Sequence, residues 1–78
     1  MTKVQRYQRL KFPKLGEVFV GYDLRVTDEK SGYFGCYGII DRISSYTTES
    51  HSEYKLRLEF ENKGVYEYLD FYEEQLSH

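Results

Sequence analysis

Cysteine and proline are almost missing from this chain, and each shortage removes a class of protein. The single cysteine, Cys36, has no partner for an internal disulfide, so a disulfide-stapled secreted module is excluded. One proline and six glycines in 78 residues are too few for a collagenous or low-complexity segment. No apolar run approaches the ~20 residues of a membrane span, and no apolar leader core follows the first residues. The expected compartment is therefore the cytoplasm, with no membrane partner. His51 lies in a polar stretch, His78 stands far from it, and Cys36 is alone, so no metal-ligand spacing exists and no metal is expected. A phosphate-binding GxxxxGK[ST] loop is absent, and Gly32, Gly35 and Gly38 precede no helix, which argues against a nucleotide cofactor. Cys36 could in principle be a nucleophile paired with His51, but nothing in the sequence brings the two together. The expectation is a protein that is not an enzyme and carries no cofactor.

What is present is charge, unevenly placed. The formal net charge is −2, yet residues 1–14 carry Lys3, Arg6, Arg9, Lys11 and Lys14 and no acid. The remainder sets six cations against thirteen acids. Residues 1–15 thus form a basic segment ahead of an acidic body, residues 16–78. Val4, Tyr7, Leu10 and Phe12 are interspersed among the cations, so the segment reads either as a docked strand or as a free basic arm.

Period-two alternation dominates the rest. Val18, Val20, Tyr22, Leu24 and Val26 share one face of an expected strand over residues 17–26. A polar loop over residues 27–32 follows, then a second strand from Gly38 to about Tyr46. Tyr54, Leu56, Leu58 and Phe60 alternate with Lys55, Arg57, Glu59 and Glu61, and a one-residue slip would bury those four charges. Asn62-Lys63-Gly64 is a hairpin turn, Val65 to Phe71 the return strand, and residues 72–76 a single closing turn with Leu76 tucked back. These elements amount to an all-β fold: a small antiparallel barrel of four to five strands with a short closing C-terminal turn.

The stretch Gly35-x-x-Gly38-x-Ile40-x-x-Ile43 resembles the KOW-type pattern, in which a glycine-bearing loop leads into a short strand. The wider frame, from Gly16 to the terminal Leu76, is similar to SH3-like barrels, which commonly end in a strand, a single turn and a buried leucine. The resemblance implies an SH3-like barrel over about residues 16–76 and carries no functional residue with it. Ribosomal and transcription-factor members of that family are usually basic.

Nine tyrosines and five phenylalanines are more aromatic rings than so small a barrel can enclose. Tyr22 and Tyr54 fall on apolar strand faces and are assigned to the core. Tyr33, Phe34 and Tyr37 crowd the glycine-bearing loop, and Tyr66 and Tyr68 alternate with Val65, Leu69 and Phe71. Tyrosine combines a large contact area with a polar tip, which suits a binding surface. Glu67 and Asp70 beside these rings add a carboxylate character complementary to a basic partner. The leading expectation is a non-catalytic protein-binding module, an adaptor or inhibitor of the kind carried by phages and mobile elements. Its partner would be another protein, met through Tyr33, Phe34, Tyr37, Tyr66, Glu67, Tyr68 and Asp70. One alternative is a KOW-like nucleic-acid or ribonucleoprotein binder using Arg6, Arg9, Lys11 and Lys14 on phosphates. Another is an accessory subunit whose exposed edge completes a larger complex.

Overall fold

Two eleven-residue strands, joined by a short polar loop, form the spine of the computed structural model, which describes residues 1–78. In chain order the elements are β1 (Lys3–Tyr7), β2 (Arg9–Phe12), β3 (Gly16–Phe19), β4 (Asp23–Val26), β5 (Tyr37–Thr47), β6 (Ser52–Asn62) and β7 (Val65–Phe71). A single 3-10 turn (Glu73–Gln75) and β8 (Leu76–Ser77) complete the chain. The main sheet is antiparallel in the order β7-β6-β5-β4-β8, with β1 also on β5, and β2 pairs with β3 in a separate hairpin. The sheet curls into a half-barrel, and no helix is long and apolar enough to cross a membrane.

The curl depends on one irregularity. The β5–β6 register shifts between Ile40 and Arg42, leaving Asp41 as an extra residue in β5. Such a bulge bends the strand and increases its twist. It also explains why Ile40 and Ile43, three apart, are both buried, at 1% and 0% exposure. Before the bulge, β5 pairs with β4 through Tyr37–Ile39; after it, the same edge pairs with β1 through Ile43–Thr47.

The inner face gathers Leu24, Val26, Ile40, Ile43, Leu56 and Leu58, all essentially without solvent contact. Each such side chain stabilises the fold by about 1.5–3 kcal/mol relative to exposure. Phe12, Leu15 and Val18 on and around the β2–β3 hairpin cover the open side of this core. Leu76 is fully buried, as the closing-turn reading requires. Lys63 (φ 52°) and Gly64 (φ 83°) form the two-residue loop between paired Asn62 and Val65. Positive φ at both loop positions is the type I′ geometry that matches strand twist.

Two expectations need correcting. The single strand over residues 17–26 is two strands, β3 and β4, separated where Gly21 turns the chain at φ 98°. Val20 and Tyr22 still pack against the core, so the alternation of faces survives the break. Tyr54 is 42% exposed rather than enclosed: β7 leaves β6 at Leu56, and beyond it only the rings of Tyr7 and Phe12 pack on Tyr54, which leaves part of its ring open.

The β2–β3 connection is clamped to the C-terminal turn. Glu73 Oε2 accepts hydrogen bonds from the backbone N–H of Lys14 (2.6 Å) and of Leu15 (2.8 Å). Lys14 Nζ donates to the carbonyl of Leu76 at 3.1 Å. Gln75 holds the loop: its amide donates to Asp28 Oδ2 and its oxygen accepts from the Tyr72 N–H, both at 2.8 Å. That amide and the Lys30 N–H together hold the Asp28 carboxyl below its usual value.

Gly38 carries the tightest packing. A Cβ there would stand 2.9 Å from Leu58 Cβ and 2.9 Å from the Phe60 ring. Gly38→Ala is therefore expected to destabilise by about 1–3 kcal/mol. Gly32→Ala meets no atom within 4 Å and should change stability by less than about 0.5 kcal/mol. Urea denaturation of the two variants checks the contrast; equal midpoints would refute the packing at Gly38.

Candidate functional site

Burial of Gly38 and Ile40 on the inner face turns their neighbours Tyr37 and Ile39 to the outer face. Leu56, Leu58 and Phe60 do the same to Arg57, Glu59 and Glu61 in β6. In β7, burial of Phe71 and partial burial of Leu69 put Tyr66, Tyr68 and Asp70 on that outer face as well. Register then assembles them. Ile39, Glu59 and Tyr68 form one direct row across three strands, and Glu61 stands opposite Tyr66. β5 and β7 both run antiparallel to β6, so Tyr37 and Tyr66, each two residues earlier, lie toward the same end. Tyr37 (61%), Ile39 (43%), Tyr66 (56%) and Tyr68 (49%) are all substantially exposed.

Polar contacts fix part of this face. The Tyr68 hydroxyl donates to Glu59 Oε1 at 2.9 Å, which holds its ring against β6. The same bond raises the Tyr68 pKa above 10.0, with burial and the nearby charges of Glu59 and Asp41 adding to it. Arg57 Nε donates to Asp70 Oδ1 at 3.0 Å, and this pair faces Arg42 on the other side of Arg57. Hydrogen bonding to Asp70 raises the Arg57 pKa further. Tyr37 and Tyr66 make no side-chain hydrogen bond, so both phenols are free for a partner.

The aromatic and acidic residues singled out from sequence divide between faces. Tyr37, Tyr66, Tyr68 and Asp70 share the outer face. Tyr33 instead packs on Phe60, with ring centroids 4.5 Å apart, and its hydroxyl donates to Glu67. That bond raises the Tyr33 pKa, and it places Tyr33 and Glu67 on the opposite side of the sheet from Tyr66 and Tyr68. Phe34 sits in the turn before β5, 52% exposed. Ile39 was missed by the sequence reading. The signal was the three-residue spacing of Ile40 and Ile43, which places a bulge between them and fixes Ile39 outward.

The basic residues are strand residues spread over different surfaces. Arg6 on β1 stands opposite Ser44 on the outer face. Arg9 and Lys11 share the solvent side of β2, where Arg9 lies 6.0 Å from the Phe19 ring and Lys11 stands opposite Glu17. Lys14 is occupied by the C-terminal carbonyls. Cys36 precedes β5 and His51 follows it, so the strand's full length separates thiol from imidazole. No three His, Cys, Asp or Glu side chains come together as a metal-holding group.

Comparison with known proteins adds no relative: no family model, curated protein or solved structure matches the chain. The half-barrel itself is compatible with an SH3-like fold.

Because Tyr33 and Tyr68 have raised pKa values in the folded state, the stability they contribute is fully present below pH 10.0, the ordinary tyrosine value, and is lost as pH rises through their folded values. A phenolate absorbance titration should show phenols ionising above the ordinary range. Glu59→Gln should move the Tyr68 transition back down and flatten the alkaline loss of stability. An unchanged titration in Glu59→Gln would mean that the Tyr68–Glu59 bond is not held in solution.

Proposed function

We propose that this chain is a non-catalytic protein-binding module, an adaptor or inhibitor built on an SH3-like barrel. The observation that carries the reading is the outer face of β5–β7, where Tyr37, Ile39, Tyr66 and Tyr68 are exposed on three hydrogen-bonded strands. Rings on a paired sheet lose little freedom on binding, and tyrosine and isoleucine supply apolar area with hydrogen-bonding tips at its rim. Glu59, Glu61, Asp23 and Asp41 surround the rings and outnumber the two unpaired cations of the same face, Arg25 opposite Tyr37 and Arg42 opposite Arg57, while Arg57 is neutralised by Asp70. Such a surface suits a partner with an apolar centre and a basic rim, and the charges favour encounter and orientation more than raw affinity.

Tyr66→Ala combined with Tyr68→Ala should weaken capture of the partner at least ~30-fold, two tyrosine anchors of about 2 kcal/mol each being more than enough for that loss. The fold should survive, since both side chains lie outside the core. The measurement is affinity capture from lysate of the source cell with wild-type and double-variant chains, each half treated with nuclease. Retention of the same protein by the double variant would remove this face from consideration. Capture that vanishes with nuclease or moderate salt would transfer the function to Arg6, Arg9, Lys11 and Lys14.

A further inference from the structure

At the end of the half-barrel remote from the Lys63–Gly64 turn, β6 outruns its neighbour. Phe71, the last residue of β7, pairs with Leu56, and no other strand takes up the edge of Ser52–Lys55. An unpaired edge of this kind offers a row of backbone donors and acceptors to an added strand. Beside it, between β2 and the 3-10 turn, lies a cleft of about 500 Å³. That volume is in the range of pockets that enclose a ligand group.

The cleft is aromatic and acidic at once. Phe12 and Tyr54 meet edge to face with centroids 5.8 Å apart, and Tyr72 lines the cleft with them. Tyr54 and Tyr72 are 42% and 39% exposed, so both present ring surface to the opening. Three carboxylates, Glu53, Glu73 and Glu74, line the same space against one ammonium, Lys11. Glu73 is committed to the Lys14 and Leu15 N–H groups, whereas the Glu74 carboxylate has no hydrogen bond or ion pair. Glu53 accepts a hydrogen bond from the Tyr72 hydroxyl at 3.4 Å, joining the acidic and aromatic walls.

The rim already holds a cation of the chain's own. Lys55 Nζ lies 5.0 Å from the Tyr46 ring, 6.0 Å from the Tyr72 ring and 3.6 Å from Glu53. Tyr72 and Glu53 therefore stabilise an ammonium on one side while lining the cleft on the other. Aromatic faces with adjacent carboxylates attract cations through the ring quadrupole and direct charge pairing, most strongly where water is excluded.

We propose that this cleft is a second binding site, which takes the cationic side chain of an extended basic peptide segment while the peptide backbone pairs with the Ser52–Lys55 edge. The site stands at the opposite end of β6 from Tyr66 and Tyr68 and does not depend on that face. Tyr54 and Tyr72 flank the ammonium or guanidinium group over a floor set by Phe12, and Glu74 neutralises it together with Glu53, which is shared with Lys55.

The test is an amide-resolved NMR titration of the full chain with acetyl-Val-Arg-Val-Arg-Val-amide, with the corresponding Gln and Glu peptides as controls. Saturable shifts confined to Phe12, Glu53–Lys55 and Tyr72 are expected for the Arg peptide, at least tenfold weaker binding for the Gln peptide, and none for the Glu peptide. Tyr72→Leu should weaken binding about tenfold and Glu74→Gln about threefold. The Tyr66→Ala/Tyr68→Ala chain should bind unchanged, which separates this site from the outer face. Absence of saturable shifts, equal binding of the Arg and Gln peptides, or full binding by Tyr72→Leu would each overturn the proposal. Tyr72→Phe keeps the ring and should retain binding, so loss in Tyr72→Leu alone reports the aromatic face rather than misfolding.

Discussion

The β5–β6 ladder is the constraint on which every other contact depends. Its two strands are the longest in the chain, and all the remaining main-sheet strands attach to one or the other, except β8, which joins through β4. The extra residue at Asp41 lets a single strand serve two neighbours on one edge, β4 before the bend and β1 after it. A flat β5 would present the two halves of that edge in one plane, and the sheet would not curl over its own core. The bulge is thus both the source of curvature and the reason Ile40 and Ile43 are buried together.

That dependence also orders the surfaces. The outer side of the ladder is acidic and aromatic toward the Lys63–Gly64 turn, where Glu59, Glu61, Tyr66 and Tyr68 lie. Toward the opposite end Arg6 and Lys55 flank Ser44 in adjacent strands, with Lys55 paired to Glu53 on the same face. Ser44 is 2% exposed and its hydroxyl has no partner, an uncommon state for a polar group. The long stems of its neighbours are suited to covering it while their charged heads stay in water.

The all-β class, the β6 pattern, the hairpin turn and the buried Leu76 were legible in the sequence because each rests on local information. Alternation in Leu56, Leu58 and Phe60 reports a face directly, and Lys63-Gly64 reports a turn by backbone preference. The division of the aromatic residues was not legible. Tyr33 and Glu67 are thirty-four residues apart, and only the curl of the sheet brings them together. Tyr54 illustrates the opposite failure: its alternation is correct, but its exposure depends on where β7 stops. Tyr72 and Glu74 lie in a segment with no periodicity, so their part in a cleft against β2 becomes visible only once Glu73 ties the closing turn to the β2–β3 connection.

The pairing of β1 with β5 sets a schedule for folding as well as a shape. β5, β6 and β7 are successive neighbours in the chain, and their contacts close over short loops. β1 must wait for a partner about forty residues downstream, a closure that costs more chain entropy and proceeds more slowly. On the ribosome this strand emerges before its partner β5, at rates of roughly 5–20 residues per second. Lys3 and Arg6 place two like charges on this five-residue strand, the kind of residue that opposes pairing with a wrong edge while the strand is still unpartnered.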